Sequence, residues 1–352
     1  WDGQQLTTVA KPGADRRFET FQAYHSFLAD TLSQIHENMA AAQRQTPYTL
    51  LGTLSTGYDS TTATALLSEQ GLQEVICFER EGNRDSGSAL AHYFNVKPVH
   101  VNVEAWRSLV NPEVPFLAAN GIGEEVHYSA AEQTLKNRVL ITGYHGDKIW
   151  EKNIPYTGSD LVRGDISGMS LMEYRLQVGF IHCPITFFGA RQVADLKRIA
   201  HQPDMVDWDI GGDYNRPICR RIVEEKGLPR DAFGQLKSYA SRWLVTTPEG
   251  LTPNSTAQLI TWLRPQRSTQ LRHGCLPPWC NQKYDQLRLE LLHTLSDKII
   301  KLPGFYRLGL DKNNLFAQLC ALDMDNIKKP PIFGFRRYFM LWALQLASQR
   351  YD

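Results

Sequence analysis

The sequence predicts an α/β protein built on a doubly wound parallel sheet, with an N-terminal helix and a mostly helical C-terminal half. Three observations carry that prediction. Between residues 48 and 150, short apolar runs alternate with helix-like segments, the pattern of strands joined by crossover helices. Two of these runs end in a glycine-bearing turn with an acid, Ser55-Thr56-Gly57-Tyr58-Asp59-Ser60 and Gly143-Tyr144-His145-Gly146-Asp147-Lys148. Past residue 160 the apolar spacing is helical.

The elements follow in order. Phe21, Tyr24, Phe27, Leu28, Leu32 and Ile35 recur at helical spacing, so residues 18–44 are predicted to form a long amphipathic helix. The run 48–54 reads as a buried parallel strand, and 60–70 opens a helix with hydroxyls and an acid in its first turn. Further strands are expected at 74–79, 98–103 and 138–142, with helices at 85–95 and 126–136 between them. Beyond lie helix candidates at 187–201, 213–226, 231–246, 254–265, 281–297, 313–324 and 334–350, Pro217 beginning or kinking its segment. Three segments result: an N-terminal helical stretch (1–45), a nucleotide-binding α/β core (46–160) and a helical half (161–352).

Composition bounds the function classes. The chain has 352 residues, 42% hydrophobic and 21% charged, as in soluble globular proteins. A formal net charge of +1 argues against a broad nucleic-acid footprint. Six cysteines are too thinly spread for a disulfide framework, which favours a reducing, cytoplasmic setting. No stretch reaches transmembrane length, and 338–347 has the size of a buried core helix. The chain opens on Trp1 without a signal-peptide pattern and is read as a processed piece, with room for an upstream domain.

The first turn carries the chemistry. A strand running through a small, hydroxyl-rich turn into a helix makes an anion site, because the helix N-terminus presents unpaired N–H groups and a positive dipole end. Gly57 lets phosphate approach the backbone, Ser55 and Ser60 offer hydroxyls, and Asp59 offers a magnesium ligand. The alternative is an ordinary capped helix after a strand. No Walker loop occurs in the chain. The second turn, in a parallel sheet, falls on the same edge, so Asp59 and Asp147 are expected to share a magnesium site.

The hexapeptide resembles the pyrophosphate-binding loop, Ser-Gly-Gly-x-Asp-Ser, of the ATP pyrophosphatase (PP-loop) superfamily. Ser55, Gly57, Asp59 and Ser60 match, and Thr56 replaces the first glycine. If that glycine uses a positive φ, a β-branched residue requires a reshaped loop. With the second turn the chain is similar to the synthetase domain of asparagine synthetases. There the segment reads Gly-Glu-Gly-x-Asp-Glu; here Asp147 is kept, while Tyr144 and Lys148 stand at the glutamate positions. Tyr144 looks like the β-lactam synthetases, in which such a tyrosine pairs with a downstream glutamate to deprotonate an amine. Residues 168–175, with Glu173 and Arg175, and residues 227–237, with Lys237, extend the likeness to roughly residues 20–245.

The resemblance implies an adenine nucleotide α-hydrolase-like fold, ATP and magnesium as cofactors, and AMP-forming amide-bond synthesis. It implies that Ser55, Thr56, Gly57, Asp59, Ser60, Phe78 and Gly143 bind the nucleotide, and that Asp59 and Asp147 hold metal. Tyr144, Glu173 and Lys237 would be catalytic. Read as residues alone, Tyr144 is a half-buried aromatic, Glu173 a helix-surface charge and Lys237 a solvated lysine. The acyl donor would be a small-molecule or peptide carboxylate. No glutaminase region is read in the chain, so ammonia would come from a separate chain or upstream domain, or the amine would lie on the substrate, as in β-lactam synthetases and lasso-peptide cyclases. The competing readings are a tRNA-modifying PP-loop enzyme, which the near-neutral charge disfavours, and a degenerate nucleotide-binding scaffold, which Thr56 and Lys148 motivate. His273, Cys275 and Cys280 lack a convincing fourth zinc ligand.

Overall fold

An all-parallel sheet needs helices over its faces, and the apolar strands of this chain are arranged in one. The computed structural model describes residues 5, 16–80, 86–155, 168–235, 244, 250–270 and 332–351. In chain order these form α1 (Phe21–Met39), β1 (Thr49–Thr53), α2 (Tyr58–Ser68), β2 (Glu74–Glu79), β3 (Lys97–Asn102), α3 (Val114–Asn120), α4 (Glu132–Leu135), β4 (Arg138–Thr142), α5 (Gly146–Ile149), α6 (Leu171–Val178), β5 (Ile181–Pro184), α7 (Val193–Ala200), α8 (Pro217–Glu224), α9 (Pro253–Gln270) and α10 (Ile332–Ser348).

The fold is α/β. Five strands, all parallel, lie in the order β3-β2-β1-β4-β5. The chain works outward from β1 to one edge and then restarts at β4 on the other side. β1 and β4 therefore flank the switch point, beyond which α/β sheets bind ligands. Leu50 of β1 pairs with Val139 of β4, and Gly52 with Ile141.

The chain divides into two compact units, Trp1–Arg107 with His127–Arg242, and Ser108–Val126 with Trp243–Asp352. These bounds differ from the three contiguous segments expected. The N-terminal helix belongs to the sheet unit because its apolar stripe (Phe21, Tyr24, Leu28, Leu32) is buried in the same core as Leu50, Val75, Val139 and Ile141. In the second unit α3 packs on α10, with Val114, Leu117, Leu259, Phe339 and Trp342 forming the core. There the buried Glu113 accepts hydrogen bonds from the Thr252 amide and, at 2.6 Å, from Ser255 Oγ.

The expected strands are present, and β5 is an addition. Four helical expectations change. The segment 187–201 is α-helical only over Val193–Ala200, with 3₁₀ turns at Ile185–Phe187 and Ala190–Gln192 before it. Residues Gly87–Phe94 form a 3₁₀ rather than an α-helix. The segment 126–136 splits into a 3₁₀ stretch, Val126–Ala131, and the single turn α4. Residues 231–235 are turns, because the chain there bends back on the first loop; the rest of that helix candidate, Leu244 apart, lies outside the described residues. So do 281–297, 313–324, Lys237 and the His273–Cys280 cluster. No helix among the described residues is long and apolar enough to cross a membrane. Cys77, Cys183 and Cys219 are free thiols, and burial pushes Cys77 up to about 12 and Cys183 up to about 11, so both stay protonated.

Candidate functional site

The loop after β1 is closed by its own side chains. Ser60 Oγ accepts from the Ser55 amide at 3.0 Å and lies 2.8 Å from Ser55 Oγ, which accepts from the Gly57 amide at 3.1 Å. Thr61 Oγ1 donates to the carbonyls of Ser55 (2.8 Å) and Gly57 (2.6 Å). The Tyr58 amide, at the start of α2, donates to the Tyr214 hydroxyl at 3.4 Å. The amides of Ser55, Gly57 and Tyr58 thus have hydroxyl partners, groups that can rotate when a stronger acceptor arrives. Thr56 fits without a positive φ: the left-handed non-glycine residues among those described are Asn95, Asn111, Asn137 and His145, and Gly57 has φ −78°. The loop does not need glycine at position 56.

The two turns meet. Gly143 and Gly146 lie directly against Asp59: a β-carbon on Gly143 would fall 2.2 Å from the Asp59 carbonyl oxygen, and one on Gly146 would fall 2.0 Å from Asp59 Oδ1. At Gly143 the obstacle is backbone and no side chain fits; at Gly146 it is the Asp59 carboxylate, which an added side chain would displace. The strand order creates this juxtaposition, since β1 and β4 are neighbours and their carboxyl ends coincide. His145 bridges the glycines in the left-handed region (φ 69°), buried and stacked on Phe187 at 5.8 Å.

Both acids expected to hold metal have cationic neighbours. Asp59 Oδ1 accepts from Nη1 of Arg216, whose side chain is only 1% exposed. Arg216 Nε reaches Glu151 Oε2 at 3.2 Å. Burial works against the Arg216 charge, and the Asp59 carboxylate is the largest of several contributions that together raise its pKa above the ordinary value. Asp147 Oδ2 accepts from Lys148 Nζ at 2.5 Å in a partly exposed pair. Among the described residues no group of three or more His, Cys, Asp or Glu side chains gathers as a metal cage. Asp59 and Asp147 offer the one or two carboxylates that a magnesium ion held partly by substrate phosphates would need.

The other candidates surround this edge. Phe78, on β2, stands edge-on to His127 (4.5 Å) and Tyr128 (4.8 Å), forming an aromatic group on the other side of β1. Tyr144 donates its hydroxyl to Tyr128 at 3.2 Å, and its carbonyl accepts from Thr186. Glu173 is half-buried in the first turn of α6, and its neighbour Tyr174 donates to the Tyr128 carbonyl at 3.3 Å. Tyr128 thus connects the Tyr144 turn with the helix bearing Glu173. His182 of β5 hydrogen-bonds Thr142 at 2.8 Å. The Gly234 amide donates to the Thr56 carbonyl at 2.7 Å, and Gly234 lies on the Tyr58 ring, where a β-carbon would fall 2.4 Å from Cε1.

Sequence reasoning missed Arg216, Tyr214, Tyr128 and His182. Only Arg216 left a signal: it precedes Pro217, which opens α8 at its first position. An arginine fixed before a helix-starting proline has a restricted backbone and a predictable direction. No protein-family model matches the chain, and no curated protein matches it.

Proposed function

We propose that the chain is an ATP-dependent, AMP-forming carbon–nitrogen ligase with an adenine nucleotide α-hydrolase-like core. The observation that supports this reading is the packing of Gly143 and Gly146 on Asp59, which makes one site of two acid-bearing turns at the sheet's switch point. A substrate carboxylate oxygen attacks the α-phosphorus of ATP, the bond to the bridging oxygen breaks, and pyrophosphate departs. An amine then attacks the acyl carbon and AMP leaves with its electron pair.

In this reading Ser55, Thr56, Gly57 and Ser60 receive the departing pyrophosphate, the serine hydroxyls turning from each other toward phosphate oxygens. Asp59 and Asp147 would hold the magnesium ion that neutralises the triphosphate. Phe78, with His127 and Tyr128, offers an apolar face for adenine, and Gly143 lets the Asp59 backbone pack against the second turn beside the nucleotide. Tyr144 takes the amine proton, since a phenol works as a base only when a neighbour orients or receives its own proton; Tyr128 accepts its hydrogen bond, and Glu173 would be the carboxylate that receives the proton. Lys237 lies outside the described residues; in this reading its ammonium would stabilise the leaving oxygens.

The test is product analysis. Incubation with ATP, magnesium and a panel of amino acids and peptide carboxylates should yield AMP and pyrophosphate, and hydroxylamine should trap the activated acyl group as a hydroxamate. ADP and inorganic phosphate as products would overturn the proposal. The Lys148–Asp147 pair favours one second reading, a nucleotide-binding protein without turnover. Tight ATP binding with no AMP from any carboxylate would select it.

A further inference from the structure

We infer that Arg216 is a positioning residue for Asp59: its guanidinium fixes the carboxylate orientation in which the loop meets magnesium and nucleotide, and ties that carboxylate to the second turn through Glu151. The inference rests on the nucleotide reading above. Arg216 is built in rather than swinging. Its side chain is 1% exposed, and its guanidinium carbon lies 5.1 Å from the Tyr214 ring centroid and 5.7 Å from that of Tyr58. The flanking backbone is held on both sides. The Asn215 amide donates to Glu151 Oε1 at 3.3 Å, the Lys152 amide donates to the Asn215 carbonyl at 3.0 Å, and Pro217 follows.

The geometry closes a ring of contacts. Asp59 touches Gly146, the chain leads from Gly146 through α5 to Glu151, and Glu151 holds Arg216, which returns to Asp59. Only a planar fork reaches two carboxylates at once in fixed directions; a lysine ammonium supplies charge without that constraint. A group that orients a metal-binding carboxylate in this way sets metal affinity without touching the metal.

The experiment is calorimetric binding of a non-hydrolysable ATP analogue, with magnesium and with EDTA, to the full chain and to Arg216→Lys, Arg216→Met and Glu151→Gln. The wild type should bind in EDTA and more tightly with magnesium. Both Arg216 variants should keep the EDTA affinity and lose about 10- to 100-fold of the magnesium-dependent gain, with no rescue by lysine. A merely structural role would lower both affinities together. Glu151→Gln should lose a smaller part of the gain, and it carries the test if the Arg216 variants do not fold. An unchanged gain in folded variants overturns the inference and leaves the nucleotide reading intact. An increased gain also overturns it, because Arg216 would then compete with the metal for Asp59. Failure of the wild type to bind under either condition removes the nucleotide reading itself.

Discussion

At the scale of single residues, the site is defined by what cannot be added to it. The Asp59 backbone and carboxylate fill the space where side chains at Gly143 and Gly146 would stand. Gly143→Ala should therefore cost about 1–3 kcal/mol of stability, the range for overpacking a tight contact, and should reduce nucleotide binding by pushing the turns apart. Gly57 makes an informative contrast. Its φ of −78° suits alanine, and the added β-carbon would meet only Ser55 Oγ at 3.3 Å and Tyr214 Oη at 3.7 Å. Gly57→Ala should leave the unfolding midpoint unchanged or slightly higher, yet weaken nucleotide binding by crowding the anion-facing loop. Equal destabilisation by the two substitutions in urea titrations would contradict this account of the turns.

At the scale of elements, the strands and helices divide by how local their signals are. β1, β2 and β4 were legible because β-branched and apolar residues dominate them, and β3 because Val99 and Val101 alternate with polar residues. β5 has four residues, Ile181-His182-Cys183-Pro184, none fully buried, and only pairing with β4 identifies it. The helix at Gly87–Phe94 has the right spacing for α but tightens to 3₁₀ between a Ser86 cap and the left-handed Asn95. β5 also brings a pH dependence. His182 and His127 are both held neutral near pKa 3, chiefly by burial, assisted by the charge of Arg175 on His182 and of Arg80 on His127. Below the ordinary value of 6.5 the unfolded chain takes up protons that the folded chain refuses, so stability falls with pH from 6.5 down to about 3. At pH 5 each histidine should cost about 2 kcal/mol relative to pH 7. Urea unfolding of His127→Gln/His182→Gln should lose less stability over that interval than the wild type does. An identical loss would show that these rings are not the source.

For the whole molecule, the fold class and the pairing of the two turns could be read from sequence, because strand alternation and a parallel sheet suffice to bring those turns to one edge. The division into units could not. α3 finds its partner in α10, more than two hundred positions later, and nothing in Val114–Asn120 announces that pairing. The brace on Asp59 was equally hidden, since Arg216 is as remote from Asp59 in sequence as it is close in space. Trp342, 1% exposed at the centre of the second unit, should anchor it. Trp342→Ala should cost about 3–5 kcal/mol, measured as a lowered unfolding midpoint; a loss within experimental error would mean that α10 does not complete this core.

The central claim is that two turns, meeting at Asp59, form one adenylating site. Carboxylate-dependent exchange of labelled pyrophosphate into ATP, measured for the wild type and Asp59→Ala, tests it most directly. The account predicts exchange with at least one carboxylate in the wild type and its abolition in a folded Asp59→Ala variant. Exchange that persists without the Asp59 carboxylate would contradict it, as would tight ATP binding with no exchange for any acid.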